Sequence, residues 1–151
     1  MADREVEDNL PIVSDGHKSD AKVWILDLTC SYHYTPNRSW FATYTKTDEE
    51  SVTLGDDHPC KVAGIETVRM RMFDGMVRMF DNVKHIAELK NLVSLGYLER
   101  NGCSFSSHAR SGVPNISNRA MVVMRGRMME NNLYRLEGSV VIGDSNTATA
   151  V

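Results

Sequence analysis

Alternation of apolar and polar residues predicts a chain that is mainly β-strand. Residues Val23–Leu26 form a short apolar run, which is typical of a buried strand. The segment 61–73 alternates in its second half, where Val68, Met70 and Met72 share one face. A period of two residues indicates a strand with one buried and one exposed face.

A hairpin is predicted where Asp74 and Gly75 separate the segment 61–73 from a second strand-like run, Met76–Phe80. Asp-Gly between two such runs favours a tight turn, because a type I′ turn needs positive φ at both central residues. The basic residues of this region, Arg69, Arg71, Arg78 and Lys84, are expected on the solvated outer face of the hairpin, without a role in nucleic-acid binding.

Beyond the hairpin the spacing of apolar residues becomes helical, at Val83, Ile86, Leu89 and Leu92. A short helix is predicted near Ser94–Asn101, because Gly102 suits the position after a helix C-terminus. Further short strands are predicted at 51–54, 103–105, 115–120, 121–124 and 133–136. The fold class is therefore all-β, a small closed β-barrel with one short helix.

The 151 residues are expected to form one domain. Residues 1–22 are acidic and polar and predict a flexible lead-in, residues 23–139 the folded domain, and residues 140–151 a flexible tail. The chain has a net charge of −3, and this mildly acidic balance does not indicate the clustered basic surface that nucleic-acid binding usually needs.

The three cysteines, Cys30, Cys60 and Cys103, do not describe a disulfide framework and suit a reducing compartment. The first ten residues have no apolar segment typical of a secretory signal. No apolar run approaches the roughly 20 residues that span a bilayer. We therefore expect a cytoplasmic location and no membrane partner.

Asp27 is the candidate catalytic residue. A carboxylate that follows an apolar strand and opens a turn occupies the position of the catalytic group in an aspartic protease. That chemistry needs two carboxylates that share one proton, so the second would come from a second copy in a symmetric homodimer. The alternative is an ordinary Asp at the start of a turn.

Several segments resemble the protease region of copia-type retrotransposon Pol polyproteins, in the same order along the chain. They are Trp24–Phe41, Leu54–Ile65 and Asn91–Gly96. Two further segments, Met121–Gly126 and Asn132–Ser139, resemble the stretch that leads into the family's pre-integrase region. The resemblance extends over about residues 14–139 and continues weakly into the tail. It implies a retropepsin-like β-barrel, a homodimer and endopeptidase activity on the peptide of the element's own polyprotein. It implies neither a cofactor nor a metal.

The signature loop departs from the family pattern, which is Asp, then Ser or Thr, then Gly. Here Asp27 is followed by Leu28, Thr29 and Cys30. Leu28 lacks the hydroxyl group, and Thr29 lacks the backbone freedom of glycine. We therefore expect catalysis to be impaired, since small misplacements of reacting groups cost about 100-fold in rate.

The resemblance also assigns two supporting segments. Gly55, Asp56, Asp57 and His58 would belong to the flap that covers the substrate, although a plain acidic turn explains them equally well. The second protease signature would be Leu92, Val93, Ser94, Leu95 and Gly96. The family also has Gly at the positions of Glu66 and Arg119, which indicates a decayed copy of the element.

Two alternatives to an impaired protease remain open. One is a non-catalytic β-barrel that serves as a dimerisation or interaction module. The other is a small zinc-stabilised binding domain that uses Cys30, His33, His58 and Cys60. The spacing of these four residues differs from the usual zinc patterns, and the alternative is that both histidines lie in loops.

Overall fold

The structure is a computed structural model that describes residues 21–48, 50–53, 57–106, 114–143 and 149–150. Within these ranges, one α-helix, α1 (Leu95–Arg100), and a 3-10 helix (Arg38–Trp40) accompany the strands. In chain order the strands are β1 (Ile25–Asp27), β2 (His33–Thr35), β3 (Phe41–Lys46), β4 (Ser51–Thr53), β5 (Pro59–Lys61), β6 (Gly64–Met72), β7 (Val77–His85), β8 (Leu92–Ser94), β9 (Cys103–Ser106), β10 (Asn115–Asn118), β11 (Met121–Met128), β12 (Tyr134–Leu136), β13 (Gly138–Val140) and β14 (Thr149–Ala150).

The described strands form one 12-stranded sheet and one separate two-stranded sheet, so the all-β prediction is confirmed. The order in the large sheet is β13-β6-β7-β2-β8-β1-β12-β11-β10-β9, with β3 also paired to β6 and β14 to β7. The two ends of this order, β13 and β9, are not paired with each other. The predicted closed barrel is therefore corrected to an open sheet.

The predicted hairpin is confirmed as β6 and β7, which pair antiparallel. The turn type differs from the prediction, because Gly75 has a positive φ of 86° but Asp74 does not. The Asp74 carboxylate instead accepts a hydrogen bond from the Met76 backbone N–H at 3.0 Å. A longer loop with glycine at its one left-handed position replaces the type I′ turn.

The helical spacing after the hairpin does not produce a helix before residue 95. Strand β7 continues through Val83 to His85, and α1 begins only after β8. Val83 pairs with Glu66 of β6 on one side and with His33 of β2 on the other. The register shifts between the pairs Val68–Phe80 and Glu66–Val83, so β7 carries one extra residue there and its period of two is broken.

The core consists of two apolar clusters on the two sides of β1. Successive strand residues point to opposite faces, so Ile25 enters one cluster and Leu26 the other. The larger cluster includes Trp24, Val68, Phe80, Val93, Leu95 and Met124. The smaller cluster contains Ile25, Tyr34, Cys60, Val62, Ile86, Leu89 and Leu92. This arrangement explains why the run that precedes Asp27 is continuously apolar.

Two residues predicted on a solvated outer face, Arg78 and Lys84, are buried instead. Their strand lies between β6 and β2 and has no free edge there. The Lys84 ammonium pairs with the Glu50 carboxylate and lies 4.4 Å from the centre of the Tyr32 ring. An ion pair and an aromatic face thus compensate the cost of burying this charge.

The paired part of the chain continues beyond residue 139. Strand β13 includes Val140, and the Val141 N–H donates to the Arg69 carbonyl at 2.9 Å. Strand β14 pairs parallel with β7, with Thr149 opposite Arg78. The predicted lead-in lies outside the described residues except for residues 21 and 22.

Candidate functional site

Asp27 lies at the carboxyl end of β1, at the edge of the sheet where the second signature also ends. Strands β1 and β8 run parallel, with Leu26 opposite Val93 and Asp27 opposite Ser94. The carboxyl ends of parallel strands meet at one edge. The fold therefore places the two signature segments side by side, although 64 residues separate Ser94 from Cys30.

The signature loop closes on the Asp27 carboxylate. Its Oδ1 atom accepts hydrogen bonds from the Thr29 backbone N–H and the Thr29 hydroxyl, both at 2.7 Å. This is the turn by which Asp side chains commonly hold their own loop. Leu28, at the tip of the turn, is 72% exposed. The Thr29 hydroxyl is thus hydrogen-bonded to the Asp27 carboxylate of its own chain.

Ser94 connects the second signature to the first. Its hydroxyl donates to the Cys30 carbonyl at 2.7 Å and accepts from the Tyr97 N–H at 2.9 Å, which caps α1. Leu92, Val93 and Leu95 are buried in the core beside it. The nearest heavy atom to an added Cβ at Gly96 is 3.5 Å away, so this glycine has room for a side chain.

His33 lies in β2 beneath this junction, not in a loop as the sequence predicted. Its Nδ1 accepts from the Ser94 N–H at 2.9 Å, so Nε2 carries the proton of the neutral ring. The ring is stacked on Phe80 at 4.9 Å between centres. Burial lowers the pKa of His33 to about 3. His33 is therefore a neutral structural support of the second signature.

Cys30 is not an activated thiol. Burial, followed by the nearby negative charge of Asp27, raises its pKa to about 12. A reactive cysteine would need the opposite shift, because the thiolate is the nucleophile and the metal ligand. The site therefore depends on Asp27 for any chemistry that needs a charged group.

The predicted flap segment lies between β4 and β5 in the chain, and these two strands pair antiparallel in the separate sheet. Gly55 and Asp56 lie outside the described residues, whereas Asp57 and His58 are exposed in the connection. The hairpin lies beside the signature loop, because its Val52 and Cys60 pack in the same apolar cluster as Cys30 and Tyr32.

The four-residue zinc site is not assembled. Within the described residues, His58 and Cys60 group with Glu88, and neither Cys30 nor His33 joins them. His33 uses its Nδ1 for Ser94 and stacks against aromatic rings. Glu88 and the structural role of His33 were not predicted from the sequence. Glu88 lies in a turn that is distant along the chain, and His33 lies in a strand that was not predicted.

Comparison with known proteins defines the class of this chain. Residues 24–103, more than half of the chain, match the family described as "Pol polyprotein, beta-barrel domain". The chain therefore belongs to this family. That match includes β1, the signature loop, the β4–β5 hairpin and the second signature.

A relative identifies the type of polyprotein. The chain is 28% identical over 126 residues to the "Retrovirus-related Pol polyprotein from transposon TNT 1-94" of Nicotiana tabacum. The aligned part is 83% of this chain and 9% of that protein. The predicted copia-type Pol resemblance is thus confirmed for the β-barrel region. No solved structure matches the chain significantly. Among the described residues, no helix is long and apolar enough to cross a membrane.

Proposed function

We propose that this domain is a retropepsin-like aspartic endopeptidase of a copia-type polyprotein whose activity is largely lost. The observation that carries the proposal is the pairing of Asp27 with Ser94 across the parallel strands β1 and β8. The Ser94 hydroxyl also donates to the Cys30 carbonyl. The Asp27 carboxylate therefore lies at the end of a buried strand, in a loop that is hydrogen-bonded to the second signature. Catalytic groups need such support.

The proposed chemistry requires a second copy of the chain. One carboxylate activates a water molecule as a base, and a second, protonated carboxyl polarises the scissile carbonyl. Each copy would supply its Asp27 on a two-fold axis. In this arrangement the partner's loop would bury Leu28, an apolar side chain that is 72% exposed beside Asp27. The substrate would be a peptide segment of the polyprotein, covered by the β4–β5 hairpin.

The reason for weak activity lies in the bonds of Thr29. Both of its donors bind the Asp27 Oδ1 of the same chain, so this hydroxyl does not bridge to a partner loop. Leu28 offers no hydroxyl as a replacement. The carboxylate pair would therefore be held by fewer contacts across the axis, and we expect a rate at least about 100-fold below that of a restored signature.

The test is cleavage of a complex peptide mixture, followed by mass spectrometry, with the natural chain and the Leu28→Ser/Thr29→Gly double variant. We expect the double variant to cut at defined sites and the natural chain to cut at the same sites about 100-fold more slowly. Asp27→Asn, introduced into both backgrounds, should abolish cleavage. Equal rates for the natural chain and the double variant would overturn the proposed impairment.

A second candidate function, a non-catalytic dimerisation module, is favoured by the same exposed Leu28. Sedimentation across protein concentration separates the two candidates when the double variant is run alongside. If the double variant dimerises and still cleaves nothing, the protease proposal fails and the module remains. If neither chain dimerises, both functions fail in their homodimeric form.

A further inference from the structure

We propose that His58, Cys60 and Glu88 bind one zinc ion. Their ligand atoms, one from each side chain, all lie within 4.8 Å of one another. His58 Nε2 and Glu88 Oε2 are 3.8 Å apart. The three residues come from two separate parts of the chain, since His58 and Cys60 belong to the β4–β5 hairpin and Glu88 to the turn after β7.

The set of donors matches the chemistry of zinc. Thiolate, imidazole and carboxylate are the three ligand types that zinc accepts, and three protein ligands leave a fourth position for water. Hard cations such as Mg²⁺ and Ca²⁺ prefer oxygen ligands only, so the thiolate selects against them. A thiolate next to a carboxylate is unfavourable without a cation, whereas zinc neutralises both charges.

The geometry allows the three ligands to close around an ion. His58 and Cys60 are two residues apart on an extended segment, which directs their side chains to one side. The side chains of His58 and Glu88 are 45% and 54% exposed, so they can adjust their rotamers without disturbing the core. Cys60 is buried against Ile86 and Leu89 and provides the fixed ligand.

Zinc at this position would fasten the hairpin to the large sheet. Among the described strands, β4 and β5 pair with each other and with no third strand, and a sheet of two strands is marginally stable. A metal ion between His58 and Glu88 adds a connection between the hairpin and the turn at residues 86–89. This inference does not depend on proteolytic activity, because the ion would stabilise the hairpin in a catalytic and in a non-catalytic domain.

The first experiment is a titration of the metal-free natural chain with Co²⁺, a spectroscopic substitute for zinc. We expect a thiolate-to-cobalt charge-transfer band that saturates at one equivalent and disappears when Zn²⁺ is added, but not when Mg²⁺ is added. Absence of this band in the natural chain would overturn the proposal.

Variants identify the ligands. Cys60→Ser should abolish the band, and Glu88→Gln, at an exposed position that does not endanger folding, should weaken Zn²⁺ binding more than about tenfold. Cys30→Ser and Glu99→Gln are matched controls outside the trio and should bind like the natural chain. If Cys60→Ser does not fold, Glu88→Gln decides the question. Unchanged affinity in Glu88→Gln would remove Glu88 from the site and overturn the proposal as stated.

Discussion

At the residue scale, the junction of Ser94 and His33 holds the two signature segments together. Ser94 is fully buried and makes hydrogen bonds through its backbone N–H and its hydroxyl to three different residues. His33 accepts one of these bonds, and its Nε2 atom has no hydrogen-bond partner among the described residues. A charged imidazolium in this position would lose the bond to Ser94 and gain no compensating partner.

We expect the stability of the domain to decrease as the pH falls from about 6.5 towards 3. His33 has a pKa of about 3 in the folded protein, below the value of 6.5 for a free histidine. A depressed pKa means that the unfolded chain binds the proton first, so this stability is complete above pH 6.5 and is lost on acidification. Chemical denaturation of the natural chain should show a slope of about 1.4 kcal/mol per pH unit for this one proton.

His33→Phe should remove this slope between pH 6.5 and 5 while it lowers the overall stability. His58→Gln is the control, because His58 is exposed and its replacement should leave the slope in place. Measurements of both variants with a chelator present exclude effects of metal ions. A slope that persists in His33→Phe would contradict the assignment to this residue.

Ser94→Ala should destabilise the domain by about 2 kcal/mol. The substitution removes the cap of α1 and leaves the half-buried Cys30 carbonyl without its donor. Urea denaturation measures the change in the free energy of unfolding. Ser104→Ala, at an exposed position of β9, is the matched control and should stay within about 0.5 kcal/mol of the natural chain. Equal effects of the two substitutions would contradict the bridging role of Ser94.

At the scale of elements, the turn between β10 and β11 carries a strained residue. Arg119 has a φ of 60°, in the left-handed region that favours glycine. The family resemblance places a glycine here, and the observed angle gives the physical reason. The chain thus keeps the left-handed backbone conformation at position 119, although arginine stands where glycine would fit best.

Arg119→Gly should therefore stabilise the domain by about 1 kcal/mol, because the strain of the left-handed conformation is relieved. Thermal unfolding followed by circular dichroism measures the change. Asn118→Gly, one residue earlier and inside β10, is the control and should destabilise the domain, since glycine weakens strands. A loss of stability in Arg119→Gly would show that the arginine side chain outweighs the strain.

Elements with a local signal were predictable from the sequence. The β6–β7 hairpin follows from Asp74-Gly75 and from the alternation before it, and α1 from the glycine after its end. Strands β2 and β3 were missed, because His33–Thr35 is short and buried throughout and β3 alternates weakly. Val83 was placed in a helical pattern because the bulge between Phe80 and Val83 breaks the period of two.

Only the parts of the candidate site that lie in recognisable sequence motifs could be predicted. Asp27 was recognised from the apolar strand before it and the second signature from the family resemblance, and the fold pairs Asp27 with Ser94. The contact of Glu88 with His58 depends on how the hairpin folds back on the sheet, and no local pattern encodes such a long-range approach. Whether the sheet closes into a barrel likewise depends on long-range strand pairing, here on the fact that β13 and β9 do not pair with each other.

At the scale of the whole molecule, the two sheets should differ in stability. The β4–β5 sheet contacts the rest through the smaller apolar cluster and the Lys84–Glu50 ion pair. In metal-free protein, we expect its backbone amides to exchange hydrogen at least about tenfold faster than those of β6 and β7, a difference of about 1.4 kcal/mol. Mass-spectrometric exchange measures both regions at once.

Added Zn²⁺ should slow exchange in the β4–β5 hairpin and leave β10 and β11 unchanged, because the buried hydrophobic residues of those strands belong to the larger apolar cluster and Cys60 belongs to the smaller one. Equal rates in the two sheets of metal-free protein would contradict the difference in stability. Slower exchange throughout the domain would indicate a general effect of the ion and not a local one.

The neighbours of β1 have a consequence for synthesis on the ribosome. This early strand is flanked by β8 and β12, which are made much later, so its hydrogen bonds to β8 wait for residues 92–94 and those to β12 wait for Leu136. Contacts between residues so distant in sequence also slow folding. The Asp27 turn therefore lacks its neighbouring strand β8 until that strand is made, and a nascent chain carries no organised signature loop while the first half of this domain is being translated.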